Sequence, residues 1–498
     1  MGEAILTRTS GLIEGGIGSY DTIIRCTTFV GAVVECTNGN KRYTATSSGV
    51  VDFPVKYGTW TVTSTYKDIV KSATVVVSSL QTYEINLKGF TYGLQIDCSI
   101  SNPYDACKYI GDSTGFTPLE CNHASGICNY GSWADIVDSF CKPCLWNNGA
   151  VVSYLDKNNY GRTVGGATAD ITSGNAGDVM VEFSKKWYKY SMSGNVLTFE
   201  VSDYDRSAEG FVTAAFVSED GNAKAVDAFY YGAYNGFVQS NVLRSLSGKT
   251  PTVNTSYNDF ISRAKNRHAK CTIETFFKRF YILGLLMLVT KSRDGQATIG
   301  AGRVQNNSSA LATGTMNTSG LFYGKSDTSV GSKAFGIEHL WGNLYTWMAG
   351  LVTRDSSGTL GVKQCAPFDP NGSGYTNVTT GVGTGGNWPT KYSPFFNGAV
   401  ILPTMWQSNQ TIGWPDYFYV NGAAGRVADV GGYWNSGLAY SGPFGCLVVI
   451  RRRIRIRAMA RGCLPHLSRT LYNHTWYSGN NILGVLVANY CISKAIYA

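Results

Sequence analysis

Two segments rich in glycine and aromatic residues, about ninety residues apart, constrain this chain more than anything else in it. The first reads GIEHLWGNLYTWMAG, from Gly336 to Gly350; the second reads GRVADVGGYWNSG, from Gly425 to Gly437. In the first, Trp341 and Trp347 straddle Gly342 and Asn343, so two large rings flank a backbone free to turn tightly. In the second, Gly432 and Trp434 bracket a single residue at the end of a β-like run.

The pair resembles the formylglycine-generating-enzyme-like (sulfatase-modifying factor) branch of the C-type lectin fold. In that branch a GNVWEW-like element and a GGSW-like element lie in one core. It includes ligand-binding tips of phage tail proteins and the variable proteins of diversity-generating retroelements. The resemblance implies an α+β C-type-lectin-like domain whose fold signature is Gly336, Trp341, Gly342, Asn343, Trp347, Gly432 and Trp434. It implies that residues just after GGxW, here Tyr433, Asn435, Ser436 and Tyr440, carry a binding surface, and it fits a homotrimer.

The composition agrees with a β-rich, turn-rich chain. Charged residues make up 15%, against 58 Gly, 31 Tyr, 22 Phe and 11 Trp. At 498 residues two to four domains are expected. The net charge of +9 is concentrated in six arginines between Arg451 and Arg461. No basic stripe or nucleic-acid motif accompanies them, so nucleic acid is not an expected partner. The N-terminus, MGEAILTRTSGLIEGG, has no secretory pattern. The most apolar stretch, 281–290, is about ten residues where a membrane span needs about twenty. Synthesis in a host bacterial cytoplasm, with release as part of a virion, is the expected route.

From Ile23 to about Lys88 apolar and polar residues alternate in short runs with turns every 8–12 residues, which predicts a β-sandwich over residues 1–90. Phrases such as YGTWTVTSTY resemble prealbumin-like or Ig-like connector modules, with Trp60 in the core. Residues 91–178 form a Cys-rich intermediate region: six of the thirteen cysteines fall within 47 residues, from Cys98 to Cys144. Cys141 and Cys144 in CKPC, with His123 nearby, have zinc spacing, but reduced, partly buried thiols are the default reading. No metal or cofactor is assigned. Within this region SWADIVDSFCKPCLW predicts a short helix capped by Ser132.

Residues 179–445 read as the lectin-like domain. It opens with two strands between Val179 and Asp203, turning at Ser193-Gly194-Asn195. Two helices follow, one capped at Thr255 or Ser256 and one from Thr272 to Thr290. The second carries a buried stripe of Phe276, Phe277, Phe280, Leu283 and Met287. Residues 446–498 change texture to an Ile/Arg alternation. Two readings stand for them, a basic tail or an out-of-frame translation.

Catalysis finds no foothold in the pattern. The oxidase of the resembled branch needs a pair of copper-handling cysteines, and near the signatures only Cys365 and Cys446 are present, eighty residues apart. Glycan cleavage needs two carboxylates at a set separation, and nothing pairs Glu338, Asp369 and Asp416. His339 reads as structural. There is no P-loop, dinucleotide fingerprint or HExxH, and FDPNGSG (Phe368 to Gly374) is equally an Asx-type turn. The positive signal is a run of rings from Trp388 to Tyr440 interleaved with Asn, Ser and Gly, which is paratope-like chemistry. The ligand-binding candidates are therefore Tyr433, Asn435, Ser436, Tyr440, Trp406, Trp414 and Tyr417. The function expected is that of a non-enzymatic virion tail-tip or tail-fibre protein. It would bind a glycan or protein receptor on the bacterial host surface and assemble with other tail proteins as a homo-oligomer. A bacterial surface adhesin or a retroelement-diversified ligand-binding protein on the same fold is the alternative.

Overall fold

The computed structural model describes residues 22–66, 69–87, 89–451, 482–484 and 486–490. The chain is β-rich and divides into two compact units, residues 1–91 with 202–205, and residues 92–201 with 206–498.

In the smaller unit, β1 (Ile23–Thr37), β2 (Arg42–Pro54), β3 (Gly58–Tyr66), β4 (Ile69–Val77) and β5 (Thr82–Asn86) form one sheet in the order β2-β1-β3-β4. Two facing sheets were expected. The difference lies in β1, whose register shifts between Thr27 and Val33. Its first half pairs in parallel with β5 and its second half pairs with β3. A bulge bends a strand and increases its twist, so one long strand serves both halves of a single sheet. Its inward residues Ile24, Cys26, Val34 and Cys36 meet Phe53, Trp60 and Val62 in the core. The indole N–H of Trp60 donates to the Lys56 carbonyl at 2.9 Å. Burial pushes the Cys26 and Cys36 thiols up to about 11 and about 12, as unreactive core residues.

The larger unit contains the rest, and no boundary falls at residue 178. The strand Cys141–Asn147 of the Cys-rich region pairs antiparallel with Asp178–Ser184, the first strand of the expected lectin-like domain. Both lie inside a seven-stranded sheet that also takes in Ala228–Gly232 and Val487–Tyr490. The predicted helix over CKPC is absent. Two short 3-10 turns, Gly131–Trp133 and Val137–Ser139, lead directly into the strand. Pro143 disfavours helix at Lys142, and the Ser132 hydroxyl caps nothing, accepting instead from the Thr117 N–H at 3.0 Å. Residues three apart in a strand face opposite ways, so Cys141 and Cys144 do not converge as a zinc pair would. Burial raises both thiols. Cys121 and Cys128 are disulfide-bonded across two short strands, where free thiols were expected.

The expected pair of strands at 179–203 is three. After Asp178–Ser184, the hairpin Trp187–Ser193 and Val196–Ser202 leaves for a separate four-stranded sheet. The helix α1 (Tyr257–Arg267) starts as its sequence predicts: Ser256 Oγ accepts from the Asp259 N–H at 3.1 Å and donates to the Asp259 carboxylate at 2.7 Å. Residues 271–272 pair as a strand, so α2 begins later than expected, spanning Phe276–Thr290. All fifteen of its residues are buried, Lys278 and Arg279 included, where a single buried stripe was expected. On one side it meets the hairpin so closely that a Cβ at Gly284 would sit 2.4 Å from Tyr190 Oη; the Tyr190 hydroxyl donates to the Phe280 carbonyl at 2.7 Å. It also contacts the strands Tyr345–Thr353 and Val400–Gln407 of a nine-stranded sheet.

That sheet runs Thr376–Val378, Leu360–Val362, Tyr345–Thr353, Arg426–Val430, Cys446–Arg451, Phe418–Val420, Gly385–Phe395, Val400–Gln407, with Ile482–Leu483 beside Tyr345–Thr353. The expected boundary at 446 is therefore not a structural one: Cys446 and Val448 are buried in a strand between two others. The remainder of the doubtful tail, 452–481, 485 and 491–498, lies outside the described residues, as does the N-terminal 1–21. Among the described residues no helix is long and apolar enough to cross a membrane.

Candidate ligand-binding face

The two signature segments meet. The Gly342 N–H donates to the Gly431 carbonyl at 2.8 Å, and the Trp434 N–H donates to the Asn343 carbonyl at 3.0 Å. Gly342 has φ +74°, and a Cβ there would lie 2.9 Å from the Arg303 carbonyl oxygen, so only glycine fits without a backbone shift. Asn343, also at positive φ, is fully buried. Its side chain accepts from the Leu311 N–H at 2.7 Å and donates to Asn235 Oδ1 at 2.8 Å. The two tryptophans are core residues tied by their indole N–H groups: Trp341 to the Gly300 carbonyl and Trp347 to the Thr255 carbonyl, each at 3.2 Å. Gly336 is buried and donates to the Leu321 carbonyl at 2.8 Å.

Trp434 departs from the expectation of a core ring. It is half-buried and packs edge-on against Tyr433, which in turn lies 5.4 Å from Tyr345. Gly432 beside it is buried. Ser436 is occupied inside the loop: its hydroxyl donates to the Tyr433 carbonyl, accepts from the Tyr433 N–H, both at 2.8 Å, and meets Ser441 Oγ at 2.6 Å. It shapes the turn and has no capacity left for a ligand. Asn435 is exposed, with its side-chain oxygen accepting from the Asn306 N–H at 3.2 Å.

Trp414 is also misplaced as a ligand contact. It is 0% exposed, packed against Tyr392 and Phe444, with the Arg293 guanidinium over its ring. The alternation in WPDYFYV shows why. Trp414, Asp416, Phe418 and Val420 point inward, while Pro415, Tyr417 and Tyr419 are half-exposed. A period-two reading of that run distinguishes core from surface rings where aromatic density does not. Trp406 is half-buried on the strand Val400–Gln407, across from Pro389.

What the fold does bring together is Tyr417, Tyr440 and Trp388. Their ring centroids lie 5.0 Å (Tyr417–Tyr440), 5.1 Å (Trp388–Tyr417) and 6.1 Å (Trp388–Tyr440) apart, and all three are half-exposed. The Trp388 indole N–H donates to the Ala439 carbonyl at 3.1 Å, which fixes the cluster to the Leu438–Tyr440 turn. Leu438 is 42% exposed. Under the same turn lies a cleft of about 440 Å³. Trp388 belongs to the aromatic run in the sequence but lacks a distinguishing local signal. Its place in the cluster comes from strand pairing with Phe418–Val420, some thirty residues away.

The carboxylate of the first signature is spent on structure. Glu338 accepts from the Gly314 and Met316 N–H groups at 2.8 and 2.7 Å, beside Lys333, which donates to the Met316 carbonyl. Burial pushes the Glu338 carboxyl up and the Lys333 ammonium down to about 8. His339, buried and at positive φ, is pushed by desolvation down to about 3 and stays neutral.

Two inward carboxyls carry a pH consequence. Neither oxygen of Asp429 has a hydrogen-bond partner among the described residues, and Asp416 has one bond, from the Phe444 N–H at 2.8 Å. Burial pushes both well above the ordinary carboxylate range, and Asp294 nearby raises Asp416 further. A carboxyl with a raised pKa in the fold holds a proton that the unfolded chain has lost. Its contribution is complete below about pH 4 and declines as pH rises through the folded pKa. Asp429→Asn should therefore raise the unfolding midpoint at pH 7 and leave it close to wild type at pH 4. Urea melts at the two pH values test this; a variant less stable than wild type at pH 7 refutes it.

Neither a family model nor a curated protein matches this chain.

Proposed function

We propose that the chain is a receptor-binding protein of a virion tail tip or fibre. Its Trp388–Tyr417–Tyr440 face would grip a glycan or protein on a bacterial host surface without turnover. The observation that carries this reading is the cluster itself: three large, half-exposed rings, Tyr417 meeting the other two edge to face, tied to a turn by the Trp388–Ala439 bond. Pre-packed rings give contact area at little entropy cost, and their faces stack on sugar rings or apolar side chains. The lectin-like reading of the scaffold draws support from the two backbone bonds that join the signatures. Several copies per virion, in a homo-oligomer, would convert weak contacts into avid attachment.

The test is binding of fluorescently labelled full-length protein to candidate host cells and to a glycan array. Trp388→Ala and Tyr440→Ala should each weaken binding about tenfold or more, as loss of a central aromatic anchor does, with the unfolding midpoint changed little. Full binding by both variants, or turnover of a bound glycan, would remove this reading.

A further inference from the structure

The cleft under the Leu438–Tyr440 turn combines polar groups on braced backbone with an apolar rim. His123, Asp294, Gln296 and Ser326 line it together with Pro415 and Leu438. The imidazole Nε2 of His123 is buried without a hydrogen-bond partner. The loop that carries His123 is closed by the Cys121–Cys128 disulfide and held by the Ser326 N–H donating to the His123 carbonyl at 3.3 Å. One Asp294 oxygen accepts from the Ala297 N–H at 2.8 Å. The Gln296 amide nitrogen donates to the Ala301 carbonyl at 3.0 Å, which leaves its oxygen as an acceptor. Ala439 both lines the cleft and receives the Trp388 indole bond, so the aromatic face begins at the cleft's edge.

Resting on the receptor-binding reading, we infer that this cleft is a saccharide subsite that takes one neutral hexopyranose residue. Its volume lies in the range of small-molecule sites, roughly 300–1,000 Å³. An anionic ligand would face the Asp294 carboxyl. A purely apolar ligand would leave His123 Nε2 without a partner and strip water from the Asp294 carboxyl, at the cost of desolvated polar groups. A quaternary ammonium needs rings that stand apart around a space, and Trp388, Tyr417 and Tyr440 are packed against one another. A pyranose meets each requirement. Its hydroxyls donate to Asp294 and the Gln296 oxygen and bond His123 Nε2, while its C–H face lies on Pro415 and Leu438. The next sugar of a chain then reaches the aromatic face.

Titration calorimetry of the full-length protein tests this with methyl glucoside, galactoside, mannoside and N-acetylglucosaminide, and with choline and inorganic phosphate as counter-probes. One or more glycosides should bind with Kd near ~1 mM. Asp294→Asn keeps a side chain equally able to cap the following turn, and Leu438→Arg alters an exposed position; each should weaken that glycoside at least tenfold. Failure of every glycoside to bind at tens of millimolar overturns the inference, as do binding unchanged in both variants and binding of choline or phosphate in their place. Cell attachment is read separately. Attached protein without glycoside binding removes the subsite alone; glycoside binding without attachment removes the receptor-binding reading alone.

Discussion

Arg279→Met should destabilise the larger unit by about 3–5 kcal/mol, the range seen when one member of a buried ion pair is removed. Arg279 is buried in α2, its Nη1 donating to Glu274 at 2.9 Å and its Nη2 to the carbonyls of Leu340 and Pro443 at 3.2 and 2.6 Å. Leu340 belongs to the first signature and Pro443 follows the second, so one guanidinium clamps both to the central helix. Methionine preserves much of the apolar stem but leaves two carbonyls without their donor and the buried Glu274 carboxylate without its cation, held among the described residues by the Tyr231 hydroxyl alone. Arg279→Lys should recover part of the loss, since an ammonium is a point donor that cannot reproduce the planar fork. Urea unfolding followed by tryptophan fluorescence measures both; a loss below about 1 kcal/mol for the methionine variant would show that the clamp is dispensable.

The same residues show what a sequence makes legible. The meeting of the signatures could be anticipated because Gly342, Asn343 and the two tryptophans carry their constraints locally, as turns and as rings that need a core. The start of α1 was legible for the same reason, its cap lying within Ser256 and Asp259. The strand at CKPC was not, because its partner is Asp178–Ser184, and the short run before it alternates in a helix-like way. The expected boundary at 178 failed with it. The full burial of α2 was hidden too: the stripe is visible, but its far face is covered by Tyr190 and Phe199 of a hairpin some eighty residues earlier. Within the site, aromatic density located the region and the strand period sorted it. Tyr417 and Tyr440 fall on the face, whereas Trp414 and Ser436 are absorbed into the scaffold. The cleft draws on His123, Asp294 and Leu438, segments more than a hundred residues apart, and no local pattern announces it.

The second charge on α2 should behave differently from the first. Lys278 and Glu219 form an ion pair with both side chains fully buried, and the other Glu219 oxygen accepts from the Ala366 N–H at 2.9 Å. Lys278→Met alone should cost about 3–5 kcal/mol, because it strands a buried carboxylate. Adding Glu219→Gln should return most of that loss, to within about 1–2 kcal/mol of wild type, since the charge is gone and the amide oxygen can still take the Ala366 bond. Glu274→Gln should give no such rescue of Arg279→Met, because Leu340 and Pro443 stay without a donor. The contrast follows from geometry: Lys278 answers one carboxylate, whereas Arg279 answers a carboxylate and two loops. On an otherwise apolar helix buried all round, side chains about 100° apart that reach separate partners also fix its rotation about its own axis. The Lys278/Glu219 double variant should thus keep its stability while the amide protons of α2 exchange faster. Equilibrium unfolding of the four proteins in the cycle and hydrogen exchange of α2 decide it. A double variant no more stable than Lys278→Met would mean that packing around Lys278, not its charge, holds this part of the core.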